Sequence, residues 1–226
     1  KFQMHLERSM ARRAKSTRQQ RRRAARFEPR ARMLIVCEGT KTEKYYFENA
    51  RQVLGVHRGQ AVVEVRSGEG SNPKNIVETA RNLKIKAEKE GNAFSSVYCI
   101  FDRDEHAHYE ASIERSKKLK LQTIKSVPCF EYWILLHFRN HTAPYTRTGN
   151  RSPCDCCHHD LTNEWPDYAK NRKHLFTELL PRLDNAKQHA EQRLAAAEQD
   201  DSNNPSTEIH LLLKAMETLK EIRPIK

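Results

Sequence analysis

The stretch RMLIVCEGTKTEKYYFE (residues 32–48) contains the change of pattern that decides the fold. Its apolar run, MLIVC (33–37), is short enough to be a buried strand. Gly39 follows almost at once, and glycine allows the backbone to turn tightly. Thr42 then suits the start of a helix that is predicted to end at Gly55. The stretch therefore predicts a strand, a tight turn and a helix in succession.

The same alternation of strand and helix patterns continues to about residue 140. Further strands are predicted at 61–67, 95–101 and 121–127. Helices are predicted from Pro73 to about Glu90, from about 107 to 119, and through FEYWILLHF (130–138). Strands that alternate with helices imply right-handed crossovers and a parallel sheet. We therefore predict an α/β fold, with a parallel sheet flanked by helices and a mainly helical C-terminal appendage.

Composition divides the chain into three parts. Residues 1–32 are expected to form a basic, flexible N-terminal arm, and residues 33–144 the α/β domain. Residues 145–226 are expected to form a mainly helical subdomain that begins with a polar loop over 145–160. The helices of this subdomain are predicted at about 168–180, 183–197 and 207–222.

Most of the positive charge lies in the N-terminal arm. The formal net charge is +12, and residues 1–32 contain twelve Lys and Arg residues against two Glu residues. Such an arm can neutralise nucleic-acid phosphates and raise affinity without reading base sequence. The alternative interpretation is a solubilising tail or a docking segment for an acidic partner.

Hydropathy and cysteine content indicate the kind of protein and its compartment. No stretch reaches the roughly 18 to 20 apolar residues of a membrane span, and no signal-like apolar region opens the chain. The six cysteines do not resemble a disulfide framework in a chain of 226 residues. We therefore expect a soluble, cytoplasmic protein without membrane association.

Three acidic residues follow two of the predicted strands, at the points where those strands end. Glu38 follows MLIVC, and Asp102 and Asp104 follow SSVYCIF (95–101). Side chains at i and i+2 of an extended chain project the same way, so both aspartates can face one point. If the first and third strands are neighbours, the three acids meet at the carboxyl edge of the sheet, where ligands bind. Such oxygen ligands suit Mg²⁺; solvated acids and a helix cap are the alternative.

Other polar residues also lie near the predicted strand ends. Glu131, at the start of the helix after the fourth strand, is either a further metal ligand or an acid favoured at a helix N-terminus. Lys41 is either a phosphate contact or a solvated turn residue. Glu43 is interpreted as a first-turn helix acid, and His106 as a partly exposed histidine at a helix start. The cluster CDCCHH (154–159) lacks the separated ligand pairs of a structural zinc site, so we leave it out of the predicted site.

Five blocks of the sequence together resemble a known family. They are RMLIVCEGTKTEKYYFE (32–48), NPKNIVETA (72–80), IFDRDEH (100–106), PCFEYWILLHF (128–138) and NPSTEIHLL (204–212). In this order they are similar to the RloB-like proteins of prokaryotes, which are linked to abortive infection and restriction. Glu-Gly after a first strand, with Asp-x-Asp about sixty residues later, also resembles the Toprim domain of topoisomerases, bacterial primases and overcoming-lysogenization-defect nucleases.

The resemblance implies a Toprim-like sheet and a phosphodiester enzyme of anti-phage defence, often paired with an ATPase. Carried over by residue, the Toprim glutamate matches Glu38, and the paired aspartates match Asp102 and Asp104. In the nuclease members these acids hold one or two Mg²⁺ or Mn²⁺ ions, and Glu38 would either ligate or act as a general acid or base. No obvious nucleophilic tyrosine or zinc-ribbon module accompanies the pattern, which favours hydrolysis over strand passage or priming.

Two classes of function follow from these observations. The first is an Mg²⁺- or Mn²⁺-dependent nuclease that acts on DNA or RNA as the effector of a defence system, under the control of a partner ATPase. The second is a non-catalytic subunit of such a system, which binds nucleic acid or a partner through the basic arm while the acids are structural.

Overall fold

The computed structural model describes residues 31–39, 41–56, 61–68, 72–103, 108–199 and 202–220. Residues 1–30 of the predicted basic arm lie outside these ranges, so the flexibility of the arm stays a prediction. A 3₁₀ turn at Leu180–Arg182 lies between the helices Leu175–Leu179 and Leu183–Gln199. In chain order the elements are β1 (Ala31–Cys37), α1 (Thr42–Val53), β2 (Ala61–Ser67), α2 (Pro73–Lys89), β3 (Ser96–Asp102), α3 (Tyr109–Lys118), β4 (Gln122–Val127), α4 (Phe130–Leu135), α5 (Pro153–Glu164), α6 (Leu175–Leu179), α7 (Leu183–Gln199), β5 (Ser206–Thr207) and α8 (Ile209–Lys220).

A five-stranded sheet in the order β2-β1-β3-β4-β5 forms the centre of the structure. The first four strands run parallel, and the short β5 pairs antiparallel with β4. β1 pairs with β3 from Met33 opposite Ser96 to Val36 opposite Cys99. The predicted α/β fold, with a largely parallel sheet flanked by helices and a helical C-terminus, is confirmed. The first and third strands are neighbours, which is the condition under which acids at their ends lie at one edge.

β1 is apolar along its length because both of its faces are covered. Met33 and Ile35 belong to the larger of two cores, together with side chains of α1, α4 and the C-terminal helices. Leu34 and Val36 belong to the smaller core, together with side chains of α2 and α3. A parallel strand that is buried on both faces has a near-continuous apolar sequence, which is the pattern of MLIVC.

An aromatic cluster joins α1 to α4 within the larger core. Trp133 donates its indole N–H to the Tyr46 hydroxyl at 2.7 Å, and both side chains are fully buried. The Tyr46 ring meets the rings of Phe130 and Phe176 edge-on, with centroids 5.3 Å apart in each pair. Because a buried indole N–H requires a partner, this hydrogen bond helps to fix α4 against α1.

Residues 153–164 form the helix α5, where the sequence interpretation has a polar loop. Ser152 accepts a hydrogen bond from the Asp155 N–H, and the Asp155 carboxylate accepts one from the Ser152 N–H, which completes a capping box. Pro153 occupies the first turn, where its missing N–H costs nothing. These local features start a helix in a stretch whose cysteines, histidines and neighbouring turn residues suggest a loop.

The helices predicted at 168–180 and 207–222 begin later in the structure than in the prediction. Turns and irregular backbone occupy residues 165–174, and Asn171 has a left-handed backbone with a φ of 76°. Because a left-handed residue interrupts a right-handed helix, only a short α6 remains of the helix predicted at 168–180. The last helix begins at Ile209, since Ser206–Thr207 forms β5 instead.

The C-terminal helices share the larger core with the α/β part. Phe176 of α6, Ala186 of α7 and Leu213 of α8 belong to the same cluster as Met33 of β1. The backbone N–H of Thr177 also donates to the Asn49 side chain of α1 at 2.9 Å. Neither these helices nor any other helix among the described residues is long and apolar enough to cross a lipid bilayer.

Replacing Tyr46 by Phe should destabilise the protein, because the buried Trp133 N–H then loses its partner. We expect the free energy of unfolding to fall by about 1–3 kcal/mol. Chemical denaturation, followed by fluorescence and circular dichroism, measures the change. Tyr45→Phe is the matched control, since this neighbouring tyrosine is only half-buried. Equal losses in the two variants would contradict the structural role of the Tyr46–Trp133 hydrogen bond.

Candidate functional site

The carboxyl edge of the sheet contains a cleft of about 510 Å³. Glu38 follows β1 and Asp102 ends β3, so the parallel pairing of these strands brings both acids to the same edge. Glu43 of α1 and Glu131 of α4 line the same cleft, and we call these four residues the acid cluster. The lining residues are Glu38, Gly39, Lys41, Thr42, Glu43, Asp102, Phe130, Glu131, Lys170 and Asn171.

The second aspartate of the predicted pair, Asp104, lies outside the described residues, as does His106. Whether Asp104 faces the cleft therefore stays a prediction. The chain is still held to the sheet directly after Asp102, because the Arg103 N–H donates to the Ser126 carbonyl at 2.9 Å. This contact fixes the backbone directly after Asp102 against β4.

The turn after β1 is fastened to the end of β2. Ser67 donates its hydroxyl to the Gly39 carbonyl at 3.3 Å, and the Gly68 N–H donates to the Cys37 carbonyl at 2.8 Å. A Cβ atom placed on Gly39 would overlap the Glu43 carboxylate. Glycine at this position therefore lets the first turn of α1 lie directly against the end of the strand.

Glu43 is a buried member of the acid cluster, although the sequence interpretation treats it as an ordinary first-turn helix acid. Its carboxylate accepts a hydrogen bond from the Gly39 backbone N–H. Burial, and then the nearby charges of Glu131 and Glu38, raise the pKa of Glu43 to about 8. The carboxyl is therefore mostly protonated at neutral pH. In the sequence, this role of Glu43 is indicated by its position in the first turn of a helix that follows a strand end and a glycine.

Asp102 presents a buried carboxylate oxygen to the site. Its Oδ1 atom is buried and has no hydrogen-bond partner among the residues that the structure describes. Burial, and then the charges of Glu43 and Glu131, raise the pKa of Asp102 well above its ordinary value. Because an unpaired buried carboxylate oxygen is costly, a proton or a bound cation would stabilise this side chain.

Glu131 enters the cleft from the first turn of α4, shortly after β4. The structure brings it close enough to Glu43 and Asp102 for its charge to raise the pKa of both. Glu131 Oε1 forms an ion pair with Lys170 Nζ at 3.1 Å; the Glu131 side chain is 9% exposed and that of Lys170 58% exposed. The segment between α5 and α6 therefore supplies a cation to the acid cluster.

The segment that carries Lys170 is fastened to the start of α1. The backbone N–H of Asn171 donates to Thr42 Oγ1 at 3.2 Å. Partial burial lowers the pKa of Lys170, but the charge and hydrogen bond of Glu131 outweigh this effect and raise it above its ordinary value. Lys170 therefore stays charged at neutral pH. No local sequence pattern connects Lys170 or Asn171 with the strand ends. The sequence therefore could not predict that either residue lines the cleft.

Lys41 lies at the start of α1, where its carbonyl accepts the Tyr45 N–H at 2.8 Å. Its side chain is exposed and lines the cleft beside the acid cluster. This position is compatible with both earlier interpretations, a phosphate contact and a solvated turn residue. The phosphate contact stays a prediction.

The donor atoms of the cleft suit a hard divalent cation. The acid cluster offers carboxylate oxygens, which are the ligands that Mg²⁺ and Mn²⁺ prefer. A bound cation would also stabilise the buried Oδ1 of Asp102, which has no hydrogen-bond partner among the described residues. As they stand, the described His, Cys, Asp and Glu side chains include no group of three that is positioned to hold one ion. Mg²⁺ in proteins is usually held by one or two carboxylates, with waters or phosphate oxygens as its other ligands.

The cysteines of the CDCCHH cluster lie on α5. The thiols of Cys154 and Cys157 lie within hydrogen-bonding distance of the Cys129 thiol at the start of α4. Cys156 contacts instead the carbonyl of Thr146, at 3.7 Å from its Sγ atom. Cys129 and Cys157 belong to the larger core, against which Cys154 and Cys156 pack. These thiols therefore contribute to the packing of α5 against α4.

Residues 33–216 match a family model described as RloB-like protein. The chain belongs to the RloB-like family. The match includes every residue that lines the cleft of this RloB-like protein, and it begins after the basic arm. Comparisons with curated proteins and with solved structures gave no significant match.

Gly39→Ala should displace the Glu43 carboxylate, because the new Cβ needs space that Glu43 Oε2 occupies. We expect a loss of about 1–3 kcal/mol in the free energy of unfolding, which is typical of overpacking. In a Glu43→Ala background the same substitution should cost much less, since the overlapping atoms are gone. Denaturant unfolding of the four proteins in this double-mutant cycle measures the coupling. Equal costs in both backgrounds would show that the Glu43 side chain does not lie against Gly39.

The free energy of unfolding of the metal-free protein should decrease between pH 6.5 and pH 8. Glu43 has a pKa of about 8 in the folded protein and an ordinary value of 4.5 when unfolded, so its contribution is complete below pH 4.5 and is lost as the pH rises through 8. A difference of one bound proton corresponds to a decrease of about 2 kcal/mol over this window. Denaturation in a chelating buffer measures the slope, and Glu43→Gln should reduce it, leaving the contribution of Asp102, whose pKa is raised in the same direction.

Histidines such as His137 determine the lower limit of that window, and burial also lowers the pKa values of His141 and His210. Burial lowers the pKa of His137 from 6.5 to about 4, so its neutral form stabilises the fold fully above pH 6.5 and loses that effect in acid. Its contribution therefore changes below pH 6.5 and with the opposite sign. An undiminished slope in Glu43→Gln would assign the pH dependence to another group.

Proposed function

We propose that this RloB-like protein is a phosphodiester hydrolase that uses Mg²⁺ or Mn²⁺ at the acid cluster. The observation that carries the proposal is the buried Oδ1 of Asp102, which has no hydrogen-bond partner within the described ranges, in a cleft lined by three further carboxyl groups. A divalent cation offsets the cost of placing several carboxylates together. The resemblance of Glu38-Gly39 and Asp102-Arg103-Asp104 to the Toprim nucleases supports the same chemistry.

The residues of the cleft divide into proposed ligands and supporting groups. Glu38, Asp102 and Asp104 would hold the ion, with Glu131 as a further ligand. When bound, a divalent metal polarises the phosphoryl group and lowers the pKa of a coordinated water. Glu38 either ligates or accepts a proton. Lys41, exposed at the edge of the cleft, would contact a phosphate of the substrate backbone.

The substrate is proposed to be DNA or RNA. The eleven Lys and Arg residues in residues 1–30 supply positive charge that would attract a phosphate backbone of either kind. Arg32, the last residue of the predicted arm, lies instead in β1, where it pairs with Glu64. The role of an effector in prokaryotic anti-phage defence rests on the resemblance to the RloB-like proteins. Because an unrestrained nuclease would damage the cell that produces it, we propose control by a partner ATPase.

A second candidate function is a non-catalytic subunit that binds nucleic acid or a partner protein. Two observations favour it: the Lys170–Glu131 ion pair, and the lack of a preformed three-ligand group in the part of the chain that the structure describes. In this case the acid cluster would be structural, and the basic arm would carry the binding function.

Asp102→Asn and Glu38→Gln should each reduce cleavage of nucleic acid by more than about 100-fold, because each removes a charged oxygen ligand from the site. The assay uses the full chain with Mg²⁺ or Mn²⁺, on labelled DNA and RNA. It is run with and without the proposed partner ATPase.

Glu88→Gln is the matched control, since Glu88 is an exposed acid on α2 and the substitution makes the same chemical change. This variant should cleave as the wild type does. Unchanged cleavage in both Asp102→Asn and Glu38→Gln would reject the metal-dependent reaction. Metal-independent binding of nucleic acid without any cleavage, with or without the ATPase, would favour the second candidate.

A further inference from the structure

Lys170 is a cation that a distant part of the chain places inside an acidic cleft. Its Nζ atom lies 3.1 Å from Glu131 Oε1. The two partners differ in environment, since the Glu131 side chain is 9% exposed and the Lys170 side chain 58% exposed. The carboxylate is therefore fixed in the wall of the cleft, whereas the ammonium group is open to solvent and can reorient.

The backbone on both sides of Lys170 is held in place. Tyr168 is buried, and the Asn171 N–H donates to Thr42 Oγ1 at 3.2 Å. One residue further, the Arg172 guanidinium lies over the Trp165 ring, 4.9 Å from its centroid. A fixed backbone with a long, exposed side chain lets the ammonium group change partners without movement of the segment that carries it.

The net charge of the acid cluster determines whether Lys170 pairs with Glu131 or is free to bind another group. Without a metal ion, Glu131 lies beside Glu43 and Asp102, so the Lys170 charge reduces the repulsion within the acid cluster. A divalent cation at the cluster supplies this positive charge itself and repels a nearby ammonium group. The released group is a strongly hydrated point charge with three donors, which suits a phosphate oxygen.

We propose that Lys170 exchanges partners: it neutralises Glu131 while the cleft holds no metal, and it binds a phosphate oxygen of the nucleic-acid backbone once a divalent cation occupies the acid cluster. The inference rests on the proposed function and adds a phosphate-binding residue to it. Lys170 then links the two binding events, because it competes with the metal ion but attracts the substrate.

Lys170→Met should change the two affinities in opposite directions. Mn²⁺ should bind about tenfold more tightly to the metal-free full chain, because the competing positive charge is gone. With Mn²⁺ bound, thymidine 3′,5′-bisphosphate, used as a small phosphate probe, should bind at least about fivefold more weakly. Isothermal titration calorimetry measures both affinities without cleavage. Thermal unfolding checks that the variant is folded.

Lys173→Met is the matched control, since Lys173 is exposed on the same segment but does not line the cleft. It should leave both affinities close to those of the wild type. Lys170→Arg keeps the charge and should restore most of the affinity for the probe.

The outcomes separate this inference from the proposed function. If the wild type binds no Mn²⁺, the metal-dependent function fails, and the exchange fails with it. If the wild type binds Mn²⁺ but Lys170→Met leaves both affinities unchanged, only the exchange is overturned. Weaker Mn²⁺ binding in Lys170→Met would also overturn it, since Lys170 would then support the metal site instead of competing with the ion.

Discussion

Parallel pairing between β1 and β3 is the constraint on which the cleft depends. Both strands are buried between two layers of helices, so their apolar side chains hold them side by side in a fixed register. Glu38 follows β1 and Asp102 ends β3, and because the strands run in the same direction, the two acids lie at the same edge. The hydrophobic effect that stabilises the sheet thus brings together groups whose charges repel one another.

The fold reduces this repulsion in three ways. Glu43 keeps its proton near neutral pH, and its carboxyl group accepts a hydrogen bond from the Gly39 N–H. Glu131 is paired with Lys170, which comes from the C-terminal part of the chain. Asp102 retains a buried oxygen without a hydrogen-bond partner within the described ranges. The acid cluster is thus partly compensated by the protein, and a ligand of positive charge would complete the compensation.

Local patterns predicted the sheet and the two acids at the strand ends, because an apolar run that stops at an acid shows both the strand and the position of the acid. The burial of Glu43 was not predicted, since acids are common in the first turn of exposed helices, and only the packing of α1 against the turn after β1 distinguishes this one. The place of Lys170 could not be predicted. It depends on tertiary contacts such as the hydrogen bond between Asn171 and Thr42, which are 129 residues apart in sequence.

That hydrogen bond also bears on how the protein is made. The ribosome releases α1 well before it releases the segment from Lys170 to Thr177, which contacts Glu131, Thr42 and Asn49. A nascent chain therefore exposes the acids before their internal counter-ion and the remaining wall of the cleft exist. The site is assembled only after this segment has been made, so a chain that terminates before it would carry the acids in an incomplete cleft.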